Sequence, residues 1–132
     1  MNQNTHPFDY LAGHRTISLT TYYKSGKGVA TPVEFVRNND RLYVSTRKDS
    51  YKIKRLRNNS DAKVAPCTMR GKLKGPEIEV RARVLAKEEE QFAFETMEEA
   101  KTFLMKILIA FTKFAFWRKE TERVYLEITP NN

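Results

Sequence analysis

A run of thirteen residues, Ser45–Arg57, carries the residue types best suited to bind an anion. It contains six lysines and arginines and one aspartate, together with the hydroxyl groups of Thr46 and Ser50. The run follows a β-type stretch, Arg41–Val44, and precedes the turn-forming residues Asn58–Asp61. Hydroxyls and cations presented together at the end of a strand favour a phosphate group as ligand.

A short helix is predicted within this run at Asp49–Asn58, with Asp49 or Ser50 as its N-cap. Lys52 lies near the start of that helix, where free backbone N–H groups and the helix dipole favour an anion. Arg55 follows Lys52 by three residues and therefore shares its helix face. Two or three charge-assisted contacts, each worth roughly 1.5–3 kcal/mol, would fix one phosphate here.

Length and composition indicate one globular domain spanning residues 1–132. The chain is 40% hydrophobic and 11% aromatic, which is typical of a packed domain and not of a disordered segment. Cys67 is the single cysteine, which excludes an internal disulfide and a cysteine-based zinc cage.

No signal peptide is expected, and the apolar stretch Phe103–Phe116 is interrupted by two lysines, so it is not predicted to span a membrane. We expect a cytoplasmic protein.

The net charge of +8 is unevenly distributed. Residues 1–86 carry 17 Lys/Arg and 7 Asp/Glu, a balance of +10, whereas residues 87–132 carry 7 and 9, a balance of −2. Nucleic acid, an anionic membrane or a polyanionic small molecule could each explain the excess, as could a basic surface that simply faces water.

Periodicity predicts a mainly β fold with six short antiparallel strands and one long helix before the last strand. Pro32 indicates an edge or bulge position in the second strand. Thr96 and Glu99 have the spacing of a capping box, so the long helix is predicted at Thr96–Trp117, and its wide apolar stripe suggests core packing plus a subunit contact. The predicted strands are Thr16–Tyr23, Val29–Val36, Arg41–Thr46, Lys63–Thr68, Ile78–Leu85 and Val124–Ile128. These elements favour a small antiparallel barrel.

Other candidate sites are weak. His6 and His14 lie eight residues apart without obvious partners, so no metal site is predicted. Cys67, in an apolar strand, is interpreted as a buried small residue and not as a nucleophile. Ser25–Gly28 lacks the spacing of a phosphate-binding loop and is interpreted as a hairpin turn. No catalytic residue is assigned.

Five motifs follow one another along the chain: Arg15–Thr21, Gly28–Val36, Leu42–Leu56, Val64–Cys67 and Leu126–Pro130. Their order resembles the pyridoxamine-phosphate-oxidase-like split-barrel superfamily, and within it the flavin- or deazaflavin (coenzyme F-420)-dependent oxidoreductases. The resemblance covers about residues 14–86 and extends to the C-terminal strand.

This resemblance implies a split β-barrel of the FMN-binding type that forms a homodimer, with cofactor clefts at the subunit interface. It implies that the backbone of Thr31, Pro32 and Val33 lies beside the cofactor ring, and that Gly75–Ile78 approaches the ring from the barrel. The segment Ser45–Lys52 would hold ribityl oxygens and phosphate. The residues implied there are Thr46, Arg47, Ser50 and Lys52, with Arg55 as a helper.

Three features depart from the family pattern. Tyr51 stands where relatives often have glycine, and Asn59-Ser60 replaces a common Asn-Pro. Glu34 occupies a position that is often apolar or aromatic, which affects the expected substrate more than the expected fold.

The function implied by the resemblance is oxidoreduction of a small molecule by hydride transfer from FMN or a deazaflavin. A deazaflavin coenzyme ends in a polyglutamate tail, which would use the +10 balance of residues 1–86, so the prediction leans slightly to deazaflavin. Two alternatives stay open. One is a non-catalytic protein that only binds such a cofactor, and the other is a basic barrel that binds single-stranded nucleic acid.

Overall fold

The computed structural model describes residues 6–100, 105–108 and 122–131. Within these residues seven antiparallel strands form one sheet, and two α-helices and a helical stretch at 105–108 lie outside it. The strands are β1 (Thr16–Tyr22), β2 (Gly28–Glu34), β3 (Val36–Asn38), β4 (Arg41–Arg47), β5 (Asp61–Pro66), β6 (Ile78–Val84) and β7 (Arg123–Pro130). The helices are α1 (Tyr51–Asn58) and α2 (Glu90–Glu99). The predicted mainly β split barrel is therefore confirmed.

The sheet is rolled up because the chain connects its two edges almost directly. The strand order is β2-β1-β5-β6-β7-β4-β3, so β2 and β3 lie at opposite edges. Only Phe35 separates Glu34, the last residue of β2, from Val36, the first residue of β3. Two residues of chain span at most about 7 Å, so the two edges must meet at this point. Pro32 lies on the edge strand β2, as its sequence position predicted.

The crossing at Phe35 also corrects the predicted number of strands. The sequence suggested about six, with Val29–Val36 as one continuous strand. The structure has seven, because the chain leaves the partner β1 at Glu34 and pairs with β4 from Val36 onward. An apolar run that changes partners keeps its β-type composition, so composition did not reveal the break.

The core lies inside the curled sheet. Alternate residues of β1, β4, β5, β6 and β7 point into it, and α1 and the turn Asp9–Leu11 close its ends. The buried side chains that form this core are Phe8, Leu11, Ile17, Leu19, Leu42, Val44, Ile53, Leu56, Ala62, Val64, Val80, Ala82, Val124, Leu126 and Ile128. This alternation is what a half-buried antiparallel strand requires.

Helix α1 connects β4 to β5 and follows the predicted range closely. Ser50 is its N-cap, and the Ser50 hydroxyl accepts a hydrogen bond from the Lys52 backbone N–H at 3.3 Å. Ile53 and Leu56 are buried against the sheet. Because these two apolar residues fix the orientation of the helix, Lys52 is left half-buried beside the end of β4.

The start of the second helix differs from the prediction. Helix α2 begins at Glu90, so Thr96 lies inside the helix and does not cap it. The Thr96 hydroxyl donates to the Phe92 carbonyl at 2.8 Å, the local bond that threonine makes within helices. Residues 105–108 are also helical, and the rest of the predicted range Thr96–Trp117 beyond residue 100 lies outside the described residues. None of the described helices has the length and apolar character needed to cross a membrane.

Candidate functional site

The predicted anion site lies where β4 ends and α1 begins. The Ser50 hydroxyl accepts a second hydrogen bond, from Nζ of Lys52, at 2.9 Å. One serine therefore caps the helix and fixes the lysine ammonium beside the helix N-terminus. Burial lowers the pKa of Lys52 below its ordinary value, and the nearby charges of Arg55 and Arg123 lower it further. Among the described residues this half-buried ammonium has two cationic neighbours and no acidic partner, and an anion would supply a counter-ion.

Arg123 brings a cation from a different part of the chain. It is the first residue of β7 and pairs with Arg47 of β4. Its guanidinium donates to the Ser45 hydroxyl at 2.7 Å and to the Ser45 carbonyl at 2.9 Å. These two bonds hold the guanidinium at the end of β4, on the side where its charge reaches Lys52. Arg123 is not among the residues predicted from the sequence, because its position depends on the pairing of β7 with β4.

Arg55 is buried and has a structural role. Its Nε donates to the Thr21 hydroxyl at 2.7 Å, and its guanidinium carbon lies 5.2 Å from the centre of the Tyr23 ring. Only 8% of Arg55 is exposed. These contacts anchor α1 to β1, and they also place a fixed positive charge behind Lys52. The direct contact to phosphate that the resemblance implies for Arg55 stays a prediction.

The remaining predicted residues of this segment point in different directions. Thr46 faces the inside of the barrel and is 5% exposed. Arg47 faces water and pairs with Asp49 at 3.2 Å, and Lys48 pairs with Glu122 at 3.3 Å. Two of the six cations in Ser45–Arg57 therefore already have acidic partners.

The strand implied to lie beside the cofactor ring is an exposed edge. Thr31 and Val33 are half-buried and Pro32 is exposed. Edge strand β2 approaches β4, the strand that leads to the anion site.

The segment between β5 and β6, which the resemblance also places near the ring, contains Gly75. A Cβ added at Gly75 would come within 3.0 Å of the Pro66 side chain, so this position favours glycine.

The contacts and burial of Tyr23, Tyr43 and Cys67 indicate structural roles for these three residues. Tyr43 donates its hydroxyl to Glu127 at 3.3 Å, and burial, followed by the Glu127 charge, raises its pKa. Tyr23 contacts Arg55 as described above. Cys67 is 6% exposed, and burial raises the pKa of its thiol. A raised thiol pKa opposes nucleophilic chemistry, which agrees with the interpretation of Cys67 as a buried small residue.

The donor set fits a phosphate group. The ammonium of Lys52, the guanidinium of Arg123 and the hydroxyl of Ser50 can each donate to anionic oxygens. In the part of the chain that the structure describes, no group of His, Cys, Asp and Glu side chains could hold a metal ion.

The fold defines a split-barrel protein, with a candidate anion site at the end of its fourth strand. The sequence model of the family named pyridoxamine 5'-phosphate oxidase matches residues 8–131, and the chain belongs to this family. No curated protein matches the sequence.

Solved structures with the same fold differ in function. An FAD-binding protein from Mesorhizobium loti is 15% identical, with a TM-score of 0.57, covering 92% of this chain and 85% of that one. An F420 reductase is 13% identical, with a TM-score of 0.55, covering 100% and 97%. The heme storage protein HutZ from Vibrio cholerae is 12% identical, with a TM-score of 0.56, covering 94% and 87%. At such identities the likeness shows the fold alone.

Proposed function

We propose that this protein is an oxidoreductase that binds a flavin-type cofactor, FMN or a deazaflavin, through the phosphate of the cofactor. The observation that carries the proposal is that Lys52, bonded to Ser50 at the N-terminus of α1, lies within reach of the charge of Arg123, which is bonded to Ser45 at the end of β4. Membership of the family and the existence of FAD-binding and F420-reducing proteins with this fold support it.

When bound, such a cofactor supplies hydride transfer, and the protein binds and orients it. Lys52, Ser50 and Arg123 would hold the phosphate, while the backbone of β2 at Thr31–Val33 would lie along the ring. The barrel wall would keep water from one face of the ring. The substrate of this reaction would be a small molecule.

The charge pattern does not favour a polyglutamate-tailed deazaflavin as strongly as the sequence suggested. Arg47 and Lys48 are paired with Asp49 and Glu122, and Arg55 is buried. Among the described residues, Lys54 and Arg57 are the exposed cations of this segment that form no ion pair, while Lys52 is half-buried. The positive charge available to a ligand near the anion site is therefore smaller than the six lysines and arginines suggested. FMN and a deazaflavin are equally compatible with it.

The test is a spectral titration of the purified protein with each cofactor in turn. The proposal expects a shift in the absorbance or fluorescence of FMN or of coenzyme F420 that saturates at one cofactor per chain. Absence of any change with both cofactors at high micromolar concentration would refute it. Reduction of the bound cofactor followed by reoxidation with candidate acceptors then separates an enzyme from a protein that only binds the cofactor.

We also propose that the active form is a homodimer, as the resemblance implies. Exposed apolar side chains on α2 and on residues 105–108 support this, with Phe92 and Ile107 each at least half exposed. A subunit contact would bury this surface. Light scattering at micromolar concentration should give twice the 15.4 kDa chain mass, and a monomer mass would refute the dimer.

The nucleic-acid alternative makes a different prediction. A basic barrel that binds single strands would bind oligonucleotides with a steep dependence on salt concentration. The cations of Ser45–Arg57 do not form an open track, because Arg47 and Lys48 are neutralised and Arg55 is buried. We therefore expect no binding to single-stranded oligonucleotides even at low salt.

A further inference from the structure

A cleft lies at the crossing between the two sheet edges, apart from the candidate anion site. It has a volume of about 340 Å³ and is lined on its apolar side by Phe35, Val36, Met97 and Met105. Arg15 and Glu34 also line the cleft, and they bring a positive and a negative side chain to it. Clefts of this size and composition bind small organic ligands.

The guanidinium of Arg15 has no acidic partner and no strong hydrogen-bond acceptor among the described residues. The only hydrogen bond of its side chain there runs from Nη2 to the Met105 sulfur at 3.9 Å. A thioether is a weak acceptor. Arg37, on the same cleft, has a different environment, because it donates to Asp9 at 2.8 Å and to the Asn39 carbonyl at 2.7 Å. Arg15 is therefore the guanidinium available to a ligand.

Glu34 is the matching acidic group. Its exposed carboxylate forms no hydrogen bond or ion pair in the described part of the chain. The backbone fixes its distance from Arg15, since Glu34 pairs with Thr16 and the Phe35 N–H donates to the Arg15 carbonyl at 3.2 Å. Two opposite charges, one directly before β1 and the other at the end of β2, thus line one apolar cleft without pairing with each other.

We propose that this cleft binds a small aromatic acid, with the carboxylate of the ligand on Arg15, the ring on the apolar side, and an N–H or O–H donor of the ligand on Glu34. Identifying this ligand as the substrate rests on the proposed function, because Glu34 directly follows Thr31–Val33, the segment assigned to the cofactor ring. Binding itself requires no cofactor and can be measured on the protein alone.

Three matched probes separate the two contacts. Indole-3-acetate has a carboxylate and a ring N–H, 1-naphthylacetate lacks the N–H, and 3-methylindole lacks the carboxylate. Dissociation constants are measured by calorimetry or ligand-observed NMR for the wild type and for the variants Arg15→Gln and Glu34→Gln. The control variants are Arg70→Gln and Glu88→Gln, which alter exposed charges on a hairpin and on a turn away from the cleft.

The proposal expects indole-3-acetate to bind the wild type more tightly than either other probe. Arg15→Gln should weaken both carboxylate probes by about tenfold or more, the effect of losing one charge-assisted bond, and leave 3-methylindole unchanged. Glu34→Gln should reduce the preference for indole-3-acetate over 1-naphthylacetate. Neither control variant should alter any probe.

Equal binding of indole-3-acetate and 3-methylindole to the wild type would overturn the proposal, as would unchanged carboxylate binding in Arg15→Gln. The result is independent of the cofactor site. Lys52→Ala should weaken cofactor binding by about tenfold or more and leave the probes unaffected, whereas Arg15→Gln should leave cofactor binding intact, so failure of one proposal is distinguishable from failure of the other.

Discussion

Lys52 of α1 and Arg123 of β7 are 71 positions apart in the sequence, yet the charge of Arg123 lowers the pKa of the Lys52 ammonium. The folded protein thus holds two like charges close together, and the buried cation Arg55 adds a third. Bringing like charges together costs free energy. An anion between Lys52 and Arg123 would offset this cost, and this arrangement is the basis for the predictions about the cofactor site.

Replacing Arg123 by alanine should weaken cofactor binding. The variant removes one cation from the site, and a charge-assisted bond worth about 1.5–3 kcal/mol corresponds to roughly tenfold or more in affinity. The measurement is a fluorescence titration with FMN and with F420. Arg47→Ala is the matched control, because Arg47 pairs with Arg123 across the strands but is neutralised by Asp49, so its effect should be several times smaller. Equal effects of both variants would contradict the assignment.

The affinity for phosphate should depend on pH through Lys52. Because the pKa of free Lys52 lies below its ordinary value of 10.5 and a bound anion stabilises the charged form, the ligand binds best when Lys52 is protonated. Affinity should therefore fall as pH rises through the lowered pKa of Lys52. Dissociation constants for FMN between about pH 7 and pH 10 test this. In Lys52→Arg the charge persists over this range, so the fall attributable to Lys52 should be absent; an identical pH profile in both proteins would argue against the role of Lys52.

The two roles of Ser50 can be separated by substitution. Ser50→Ala removes both the helix cap and the hydroxyl, so it should lower the free energy of unfolding by about 1 kcal/mol and weaken cofactor binding. Ser50→Asp keeps a good N-cap but adds a negative charge where the phosphate should bind. It should therefore unfold in urea near the wild-type midpoint while binding FMN poorly. Wild-type FMN affinity in Ser50→Asp would place the phosphate elsewhere.

Stability in acid should depend on Glu89. Arg83 donates two hydrogen bonds to its carboxylate, at 3.0 and 2.7 Å, and lowers its pKa from 4.5 to about 2, with help from the Ala86 backbone N–H. A carboxyl whose pKa is lower in the folded state stabilises the protein above its unfolded pKa, and this contribution is lost as pH falls from 4.5 toward 2.

The control for this effect is Glu89→Gln, which should lose the corresponding part of the pH dependence. The readout is the difference between the urea midpoints of wild type and variant as a function of pH. We expect a modest difference near pH 7 that disappears toward pH 2, since Glu89 is partly exposed to solvent. A difference that is constant with pH would show that Glu89 acts through something other than its charge.

Sequence periodicity was sufficient for much of the fold. The β-branched and aromatic runs located six of the strands, and Ser50 was correctly one of two candidates for the N-cap of α1. Prediction from periodicity failed at Phe35, where the chain changes its partner strand without a change in composition. It also failed at Thr96, where a capping pattern lies inside a longer helix. Local sequence does not record strand pairing, so the split between β2 and β3 could not be recognised.

The candidate site was partly predictable for the same reason. Ser50 and Lys52 lie within one turn of helix, so sequence spacing alone brings them together. Arg123 joins them only through the pairing of β7 with β4. The prediction also overestimated the free charge of Ser45–Arg57, because Glu122 is distant in sequence and its contact with Lys48 depends on the fold.

The most direct test of the central claim compares cofactors with and without phosphate. Affinities of the wild type and Lys52→Ala are measured for FMN and riboflavin, and for F420 and its phosphate-free deazaflavin chromophore, with Lys54→Ala as the control for an exposed lysine on the same helix. If Lys52 holds the phosphate, the wild type prefers the phosphate-bearing member of at least one pair by about tenfold or more, Lys52→Ala loses that preference, and Lys54→Ala retains it. A preference that survives in Lys52→Ala, or equal binding of both members of each pair by the wild type, would contradict the account.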